Sequence, residues 1–167
     1  MVWLALYIAT IFLANWLLQT FGILDLGIAV PAGTLAAGLS FTARDLVQDS
    51  LGRLWTVGAI IVGAAVSALV SPQLALASGV TFLVSESLDF AVYTPIRERN
   101  WTAAVAASNI VGLTIDSVLF LLLAFGSLAF LPGQIVGKVA MTVLALLILV
   151  PLRRRGLLAR HPSPKLA

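Results

Sequence analysis

Charged residues are missing from long stretches of this sequence, and their spacing restricts the chain to a narrow class of folds. The first charged residue is Asp25, so residues 1–24 carry no formal charge, and residues 26–43 and 54–85 are further uncharged runs. A helix needs about 20 predominantly apolar residues to cross a bilayer. Repeated runs of this length, in a chain that is 60% hydrophobic and 10% charged, predict a multi-pass membrane protein.

The composition excludes several classes of protein. Soluble domains carry roughly 25% charged residues, so a water-soluble globular fold is excluded. A length of 167 residues allows one domain, and six spanning helices leave no room for a soluble catalytic domain. The chain has no cysteine, and its single histidine, His161, lies in the polar C-terminal tail. We therefore expect no cofactor, no metal site and no enzymatic activity.

Breaks in the apolar pattern divide the chain into six predicted transmembrane helices, which make it an all-α membrane protein. The second helix has Pro31 near its start, and the turns Ser71-Pro72-Gln73 and Leu131-Pro132-Gly133 separate later helices. We predict a transmembrane domain over residues 1–152 and a basic cytoplasmic tail over residues 153–167. The predicted helices cover about residues 2–20, 26–43, 54–70, 74–94, 101–125 and 134–152.

The positions of the basic residues predict the orientation of the bundle. Nine of the ten Lys and Arg residues follow helices 2, 4 and 6, and only Lys138 points toward the other side. Cytoplasmic connections carry an excess of Lys and Arg, so both termini are predicted to be cytoplasmic. Trp55 and Trp101 are predicted to lie in the interfacial aromatic belt. The net charge of +3 thus reflects topology, and no nucleic-acid partner is expected.

Several polar side chains are predicted to lie at membrane depth, where an ionised carboxylate costs about 3 kcal/mol or more. Glu86 and Asp116 fall near the middle of helices 4 and 5, and Asp89 lies one turn from Glu86 on the same face. Three residue groups repeat at helical spacing and together predict a polar cavity inside the bundle. They are Ser78, Phe82, Glu86, Asp89 and Tyr93 on helix 4, Asn109, Gly112 and Asp116 on helix 5, and Asn15 and Gln19 on helix 1.

An alternative role for these polar groups is to hold helices together through hydrogen bonds. That role suits Ser78, Ser117 and Gly112 better than it suits the two central carboxylates. The charged stretch from Arg44 to Arg53 is predicted to end helix 2 as a solvated or salt-bridged loop at the cytoplasmic rim, with a gating role as the alternative.

The segments Phe82–Asp89 and Ile115–Phe120, with Ser108-Asn109 between them, resemble the vitamin-uptake-transporter family, also known as queuosine precursor transporters. Further matches are Ala14-Asn15, Pro31-Ala32-Gly33, Asp45-Leu46 with Gly52, and Ala124-Phe125-Gly126. The chain departs from the family pattern in having Asp49 in place of Glu and Ala104 in place of Arg.

The resemblance implies a bacterial inner-membrane importer of 7-cyano-7-deazaguanine or 7-aminomethyl-7-deazaguanine, the precursors of the tRNA base queuosine. A carboxylate can accept both the ring N–H and the 2-amino group of such a base. In this hypothesis Glu86 binds the base edge, and Asp116 completes the site or carries a coupling proton. The predicted substrate-binding residues are Glu86, Asp116, Asn15, Asn109, Gln19, Phe82 and Asp89.

Other functions remain open at the level of sequence. A substrate-binding component of an energy-coupling-factor transporter is also a small six-helix vitamin binder, but it requires a partner ATPase. An intramembrane enzyme would need a base near a nucleophile, and only Lys138 is available in the apolar body. A structural or ion-conducting bundle is a third possibility. The expected partners are the lipid bilayer, a purine-like small molecule and, as a plausible oligomer, a second copy in a homodimer.

Overall fold

The computed structural model describes residues 1–70 and 75–158, and this part of the chain folds into six α-helices and one short hairpin. The predicted all-α class is confirmed. The predicted turn at residues 71–73 and the end of the tail from residue 159, including His161, lie outside the described residues. The elements are α1 Val2–Phe21, β1 Ile23–Asp25, β2 Ala29–Pro31, α2 Thr34–Leu51, α3 Arg53–Val70, α4 Ala75–Ile96, α5 Trp101–Phe125 and α6 Leu131–Arg154.

Local sequence signals set several helix ends. The Asn100 side chain accepts a hydrogen bond from the Ala103 amide at the start of α5, and Gly126 ends that helix in the left-handed conformation with φ 62°. Pro132 lies in the first turn of α6, where its missing N–H has no helical acceptor to lose. The α6 helix continues to Arg154, so the first two arginines of the predicted tail are helical.

The connection between α1 and α2 contains an antiparallel hairpin that the sequence did not predict. Strands β1 and β2 pair with Leu24 opposite Val30, and Gly22 and Gly27 take positive φ values at the two bends. Three-residue strands are too short to show a period-2 pattern. The prediction that helix 2 begins near residue 26 is therefore wrong, and α2 begins at Thr34.

The α2 helix also extends about two turns further than predicted. Residues 44–51, expected to form a loop, continue the helix to Leu51. Arg44 and Asp45 have no exposed surface, and Asp49 is 6% exposed. The loop predicted for these residues is therefore wrong, whereas the salt bridges that were one of its predicted forms are present. The physical reason is that their charges are paired inside the bundle, so they do not need water.

The α2 helix lies at the centre of the bundle and touches all five other helices. It can therefore carry polar residues that never face lipid. Among the described residues, four other helices are long and apolar enough to cross a membrane by length and composition alone, namely α1, α3, α5 and α6. Their exposed surfaces carry large apolar side chains such as Leu54, Leu69 and Leu147. The described helices therefore have the length and composition of a multi-pass membrane protein.

Neighbouring helices run in opposite directions, and all of them except α1 and α2 are joined by five residues or fewer. We call the end that holds the start of α1 and the end of α6 the terminus end, and the end that holds the β1–β2 hairpin the hairpin end. Trp101 lies at the terminus end and is 7% exposed, with the Arg153 guanidinium 4.5 Å from its ring centre. Its predicted place in a lipid-facing aromatic belt is therefore wrong, whereas Trp55 is half exposed.

Candidate functional site

A cavity opens among the helices in the half of the bundle nearer the hairpin end. It contains about 590 Å³ of space outside protein atoms, its mouth included. The enclosed part is about 70 Å³. This is below the range of about 300–1,000 Å³ that is typical of small-molecule sites, so the helices would have to move apart to admit a ligand of that size. Every helix contributes to the wall. Its polar side chains include Asn15, Ser40, Ser67, Asp116, Gln134 and Lys138, and Phe82 and Phe120 supply aromatic surface.

The two charged residues that line this cavity are paired with each other. Lys138 Nζ lies 2.5 Å from Asp116 Oδ2, 2.9 Å from Ser117 Oγ and 2.8 Å from Gln134 Oε1. The three ammonium donors of Lys138 thus have three acceptors. Asp116 Oδ1 accepts from Ser85 Oγ at 3.4 Å. The pair brings no net charge to the cavity wall, and the remaining lone pairs of Asp116 can still accept hydrogen bonds from a ligand with several polar edges.

Three hydroxyl groups on the cavity wall are buried without a partner. Thr34, Ser78 and Thr81 are at most 5% exposed, and their hydroxyls make no hydrogen bond to any described residue. By contrast, the Asn15 side chain is fixed between helices, donating to Ile11 O at 3.0 Å and to Ser67 Oγ at 3.2 Å. An unsatisfied buried hydroxyl costs about 1–3 kcal/mol, so these groups are suited to bind a ligand.

A cluster of four charged residues lies beyond the cavity, deeper in the bundle. We call it the Arg44 cluster, and it consists of Arg44, Asp45, Glu86 and Asp89, none with exposed side-chain surface. Arg44 Nη2 contacts Asp45 Oδ1 at 2.9 Å and also Asp89 Oδ1, and Arg44 Nε lies 3.3 Å from Glu86 Oε2. Ser40 lies between the cluster and the cavity: its hydroxyl donates to Ala37 O at 2.8 Å, and its Oγ lies 3.5 Å from Glu86 Oε1.

A second set of ion pairs joins three helices at the terminus end. Asp49 of α2 accepts from Arg97 Nη1 at 3.1 Å and from Arg153 Nη1 at 2.7 Å. The Tyr93 hydroxyl also donates to Asp49, at 2.8 Å. These contacts hold α2, α4 and α6 together at the terminus end, away from the cavity.

The structure brings some of the predicted binding residues together and separates others. Asn15, Phe82 and Asp116 line the cavity. Glu86 and Asp89 lie behind it in the Arg44 cluster. Asn109 is buried between helices, where its amide donates to Thr42 Oγ1 and Thr142 Oγ1. Gln19 lies near the outer end of α1 and donates to Val70 O. The last two side chains therefore make the interhelical contacts that were the alternative role for buried polar groups.

Sequence reasoning missed two charged residues of this region, Lys138 and Arg44. Lys138 was assigned to the side opposite the termini only as an exception to the charge bias, and Arg44 to a loop. A signal for Lys138 was present, because it is the one charge in residues 117–152 and lies four residues after Gln134. Arg44 and Gln48 show the same helical spacing, and Arg44 Nη1 lies 3.5 Å from Gln48 Oε1.

A comparison with protein families gives a match over residues 68–154 to the family described as "Putative vitamin uptake transporter". The match covers just over half of the 167 residues. The chain belongs to this family. The vitamin-uptake-transporter resemblance predicted from the sequence is thereby confirmed. No curated protein and no solved structure matches the chain.

Membership in the vitamin-uptake-transporter family makes the chain a transporter of that type, in agreement with its apolar helices. A transporter assignment is consistent with the expectation that the protein is not an enzyme. The matched residues include both carboxylates of α4 and the Asp116–Lys138 pair. The matched part of the chain thus contributes to the cavity and to the Arg44 cluster alike.

Proposed function

We propose that this protein imports queuosine precursors, 7-cyano-7-deazaguanine or 7-aminomethyl-7-deazaguanine, across the bacterial inner membrane. The observation that carries the proposal is the cavity wall that combines the paired Asp116 carboxylate with unpartnered hydroxyls and aromatic surface. A deazaguanine presents N–H donors, a carbonyl acceptor and a flat apolar face, and each has a counterpart on this wall.

In this proposal Asp116 accepts the ring N–H and the 2-amino group of the base. Lys138 uses only one of the hydrogen-bond acceptor positions of Asp116, since a carboxylate has about four lone-pair positions. Asn15 and the wall hydroxyls serve the other polar edges, and Phe82 and Phe120 cover the ring faces. The base-edge role that the sequence suggested for Glu86 passes to Asp116, because Glu86 is bonded to Arg44 and Ser40 and lies behind the cavity wall.

We further propose that all six helices cross the membrane, with both termini in the cytoplasm. The α2 and α4 helices carry charges that lower their hydropathy, but those side chains are buried against the other helices. The basic residues after α2, α4 and α6 favour the cytoplasm for the terminus end. The cavity would then lie in the periplasmic half of the bundle, where an external substrate arrives.

The experiment is complementation of a bacterial strain that cannot synthesise queuosine precursors and lacks its own importer. Cells expressing the protein receive 7-cyano-7-deazaguanine at low external concentration, and queuosine in tRNA is measured. We expect Asp116→Asn to reduce queuosine formation at least about tenfold, or 1.4 kcal/mol in apparent affinity. Thr114→Val is the matched control, since Thr114 is exposed on the same helix and donates to its own backbone at Ile110 O.

Two outcomes would contradict the proposal. If the wild-type protein gives no queuosine while it is present in the membrane, the substrate assignment is wrong. If uptake occurs only when an ATPase module is co-expressed, the protein is instead a substrate-binding component of an energy-coupling-factor transporter.

A further inference from the structure

The Arg44 cluster holds more negative charge than its own residues balance. Three carboxylates, from Asp45, Glu86 and Asp89, surround one guanidinium, and all four side chains are fully buried. With every group ionised the cluster would carry a formal charge of −2. A buried uncompensated charge costs several kcal/mol, so this ionisation state is unfavourable inside the bundle.

Two of these carboxylates compete for the same nitrogen atom. Asp45 Oδ1 and Asp89 Oδ1 both contact Arg44 Nη2, so the two carboxyl groups are neighbours. The second oxygen of each, Oδ2, has no hydrogen-bond partner among the described residues. Two carboxylates that share one site do not both ionise readily, and a single proton between them relieves the repulsion.

The charged groups in and around the cluster carry one negative charge in excess, which one proton would neutralise. At the terminus end Asp49 is paired with Arg97 and Arg153, which supplies one positive charge in excess. Together the two sets have four acids and three arginines, and one added proton makes them neutral. Lys138 and Asp116 cancel each other. Tyr7 of α1, whose buried hydroxyl has no described partner, and Tyr93 of α4 are the other titratable groups that face the cluster.

We propose that the Arg44 cluster is a proton-binding site and that this protein is a proton-coupled importer. The proton enters from the cavity past the Ser40 hydroxyl, which touches both the cavity and Glu86. It binds a carboxylate oxygen of the cluster and leaves to water when the terminus end opens. The Arg44 guanidinium disfavours a metal cation in the same place by repulsion. The coupling rests on the transport function proposed above, whereas the proton site does not.

The transport test uses the purified full chain in liposomes that contain a pH-sensitive dye. Addition of 7-cyano-7-deazaguanine under an inward proton gradient should acidify the lumen and concentrate the base inside. One proton per molecule allows up to about tenfold accumulation for each pH unit. We expect Asp89→Asn to stop acidification and accumulation, while exchange of internal for external base continues. Asp25→Asn, in the exposed hairpin, is the matched control and should keep the wild-type behaviour.

Accumulation that depends on a sodium gradient, or that proceeds without proton movement, would overturn the coupling. A second measurement needs no substrate. Infrared spectra of the reconstituted protein at pH 7 should show the carbonyl stretch of a protonated carboxyl group, and it should disappear in Asp45→Asn, Glu86→Gln or Asp89→Asn.

Absence of that band in the wild type at pH 7 would overturn the proton site whatever the cargo is. A band that is present, in a protein that neither transports nor exchanges the deazaguanine, would instead refute only the proposed substrate. Circular dichroism and size-exclusion elution of each variant confirm that it is folded before its spectrum is compared.

Discussion

Lys138 Nζ and Asp116 Oδ2, 2.5 Å apart, join α6 to α5 on the wall of the cavity. Removal of one partner of a buried ion pair leaves the other charge uncompensated, at a cost of about 3–5 kcal/mol. We predict that Lys138→Met lowers the thermal unfolding midpoint of the detergent-solubilised protein markedly. The double variant Asp116→Asn/Lys138→Met should recover much of the stability.

The same double variant should remain inactive in uptake of 7-cyano-7-deazaguanine, because the carboxylate that binds the base is gone. Recovery of transport together with stability would show that the pair serves only to hold the two helices together. Uptake and unfolding therefore have to be measured on the same preparations.

The unpartnered hydroxyls on the cavity wall give a second prediction. Thr81→Val removes a hydrogen-bonding group with little change in volume, and we expect a three- to tenfold rise in the substrate concentration for half-maximal uptake, which is about 0.5–1.5 kcal/mol. Ser78→Ala should act similarly. Ser87→Ala is the control on α4, since Ser87 is exposed and donates to Leu83 O. Equal effects of all three variants would refute a role of the wall hydroxyls in binding.

The contacts of Asp49 predict how the terminus end is held closed. Asp49→Asn leaves Arg97 and Arg153 without their shared carboxylate, so α2, α4 and α6 should separate more often there. The chain has no cysteine, so a single introduced one reports exposure. Leu46→Cys lies at a buried position about one turn before Asp49, packed with Tyr93 and Trp101, and its labelling rate by a maleimide should rise several-fold in the Asp49→Asn background.

A cysteine in place of Ser127, exposed at the hairpin end, provides the control for that measurement. Its labelling rate should not depend on Asp49. A parallel rise at both positions would indicate general loosening of the bundle and would contradict a closure specific to the terminus end.

Close helix packing near the cavity gives a fourth prediction. A Cβ atom on Gly33 would collide with the backbone carbonyl of Ala14, and backbone cannot rotate away as a side chain can. We expect Gly33→Ala to cost about 1–3 kcal/mol of stability, visible as a lower unfolding midpoint in detergent. Gly58→Ala meets no atom within 4 Å on α3 and should be neutral or slightly stabilising. Equal midpoints for the two variants would contradict the contact at Gly33.

The proposed orientation gives a fifth prediction. Alkaline phosphatase is active only in the periplasm, so its fusion after Ser127, in the connection between α5 and α6, should be active. A green fluorescent protein fused to the C-terminus should fluoresce, as expected for a cytoplasmic end. The reverse pattern would show that the bundle is inverted and that the cavity lies in the cytoplasmic half.

The sequence predicted the helix ends well at some breaks in the apolar pattern and less well at others. The turn predicted at Leu131-Pro132-Gly133, for example, is the first turn of α6. Both ends of α5 agree with the prediction because Asn100 and Gly126 are strong local signals. The extent of α2 could not be predicted in this way. A charge ends a helix only if it needs water, and whether Arg44 needs water depends on partners from α4 that lie far away in sequence.

The candidate site was also predicted only in part, because its charged residues have partners that lie far away in the sequence. Spacing along one helix placed Asn15, Phe82 and Asp116 correctly in the bundle interior, and all three line the cavity. It could not separate the cavity wall from the layer behind it, because Glu86 and Phe82 lie one turn apart on the same helix. Pairing with Arg44 rather than helical position removes Glu86 from the wall.

The central position of α2 has a consequence for how the protein is made. A helix with Arg44, Asp45 and Asp49 would pay about 2.5–3.5 kcal/mol for each such charge at the centre of a bilayer if it entered lipid alone. The α1 and α3 helices are apolar enough to enter unaided by length and composition. If α2 spans the membrane as proposed, it must stay in the translocation channel until the neighbouring helices can pack around its charged residues. Biogenesis would then be most sensitive to changes in the helices on either side of α2 in the sequence.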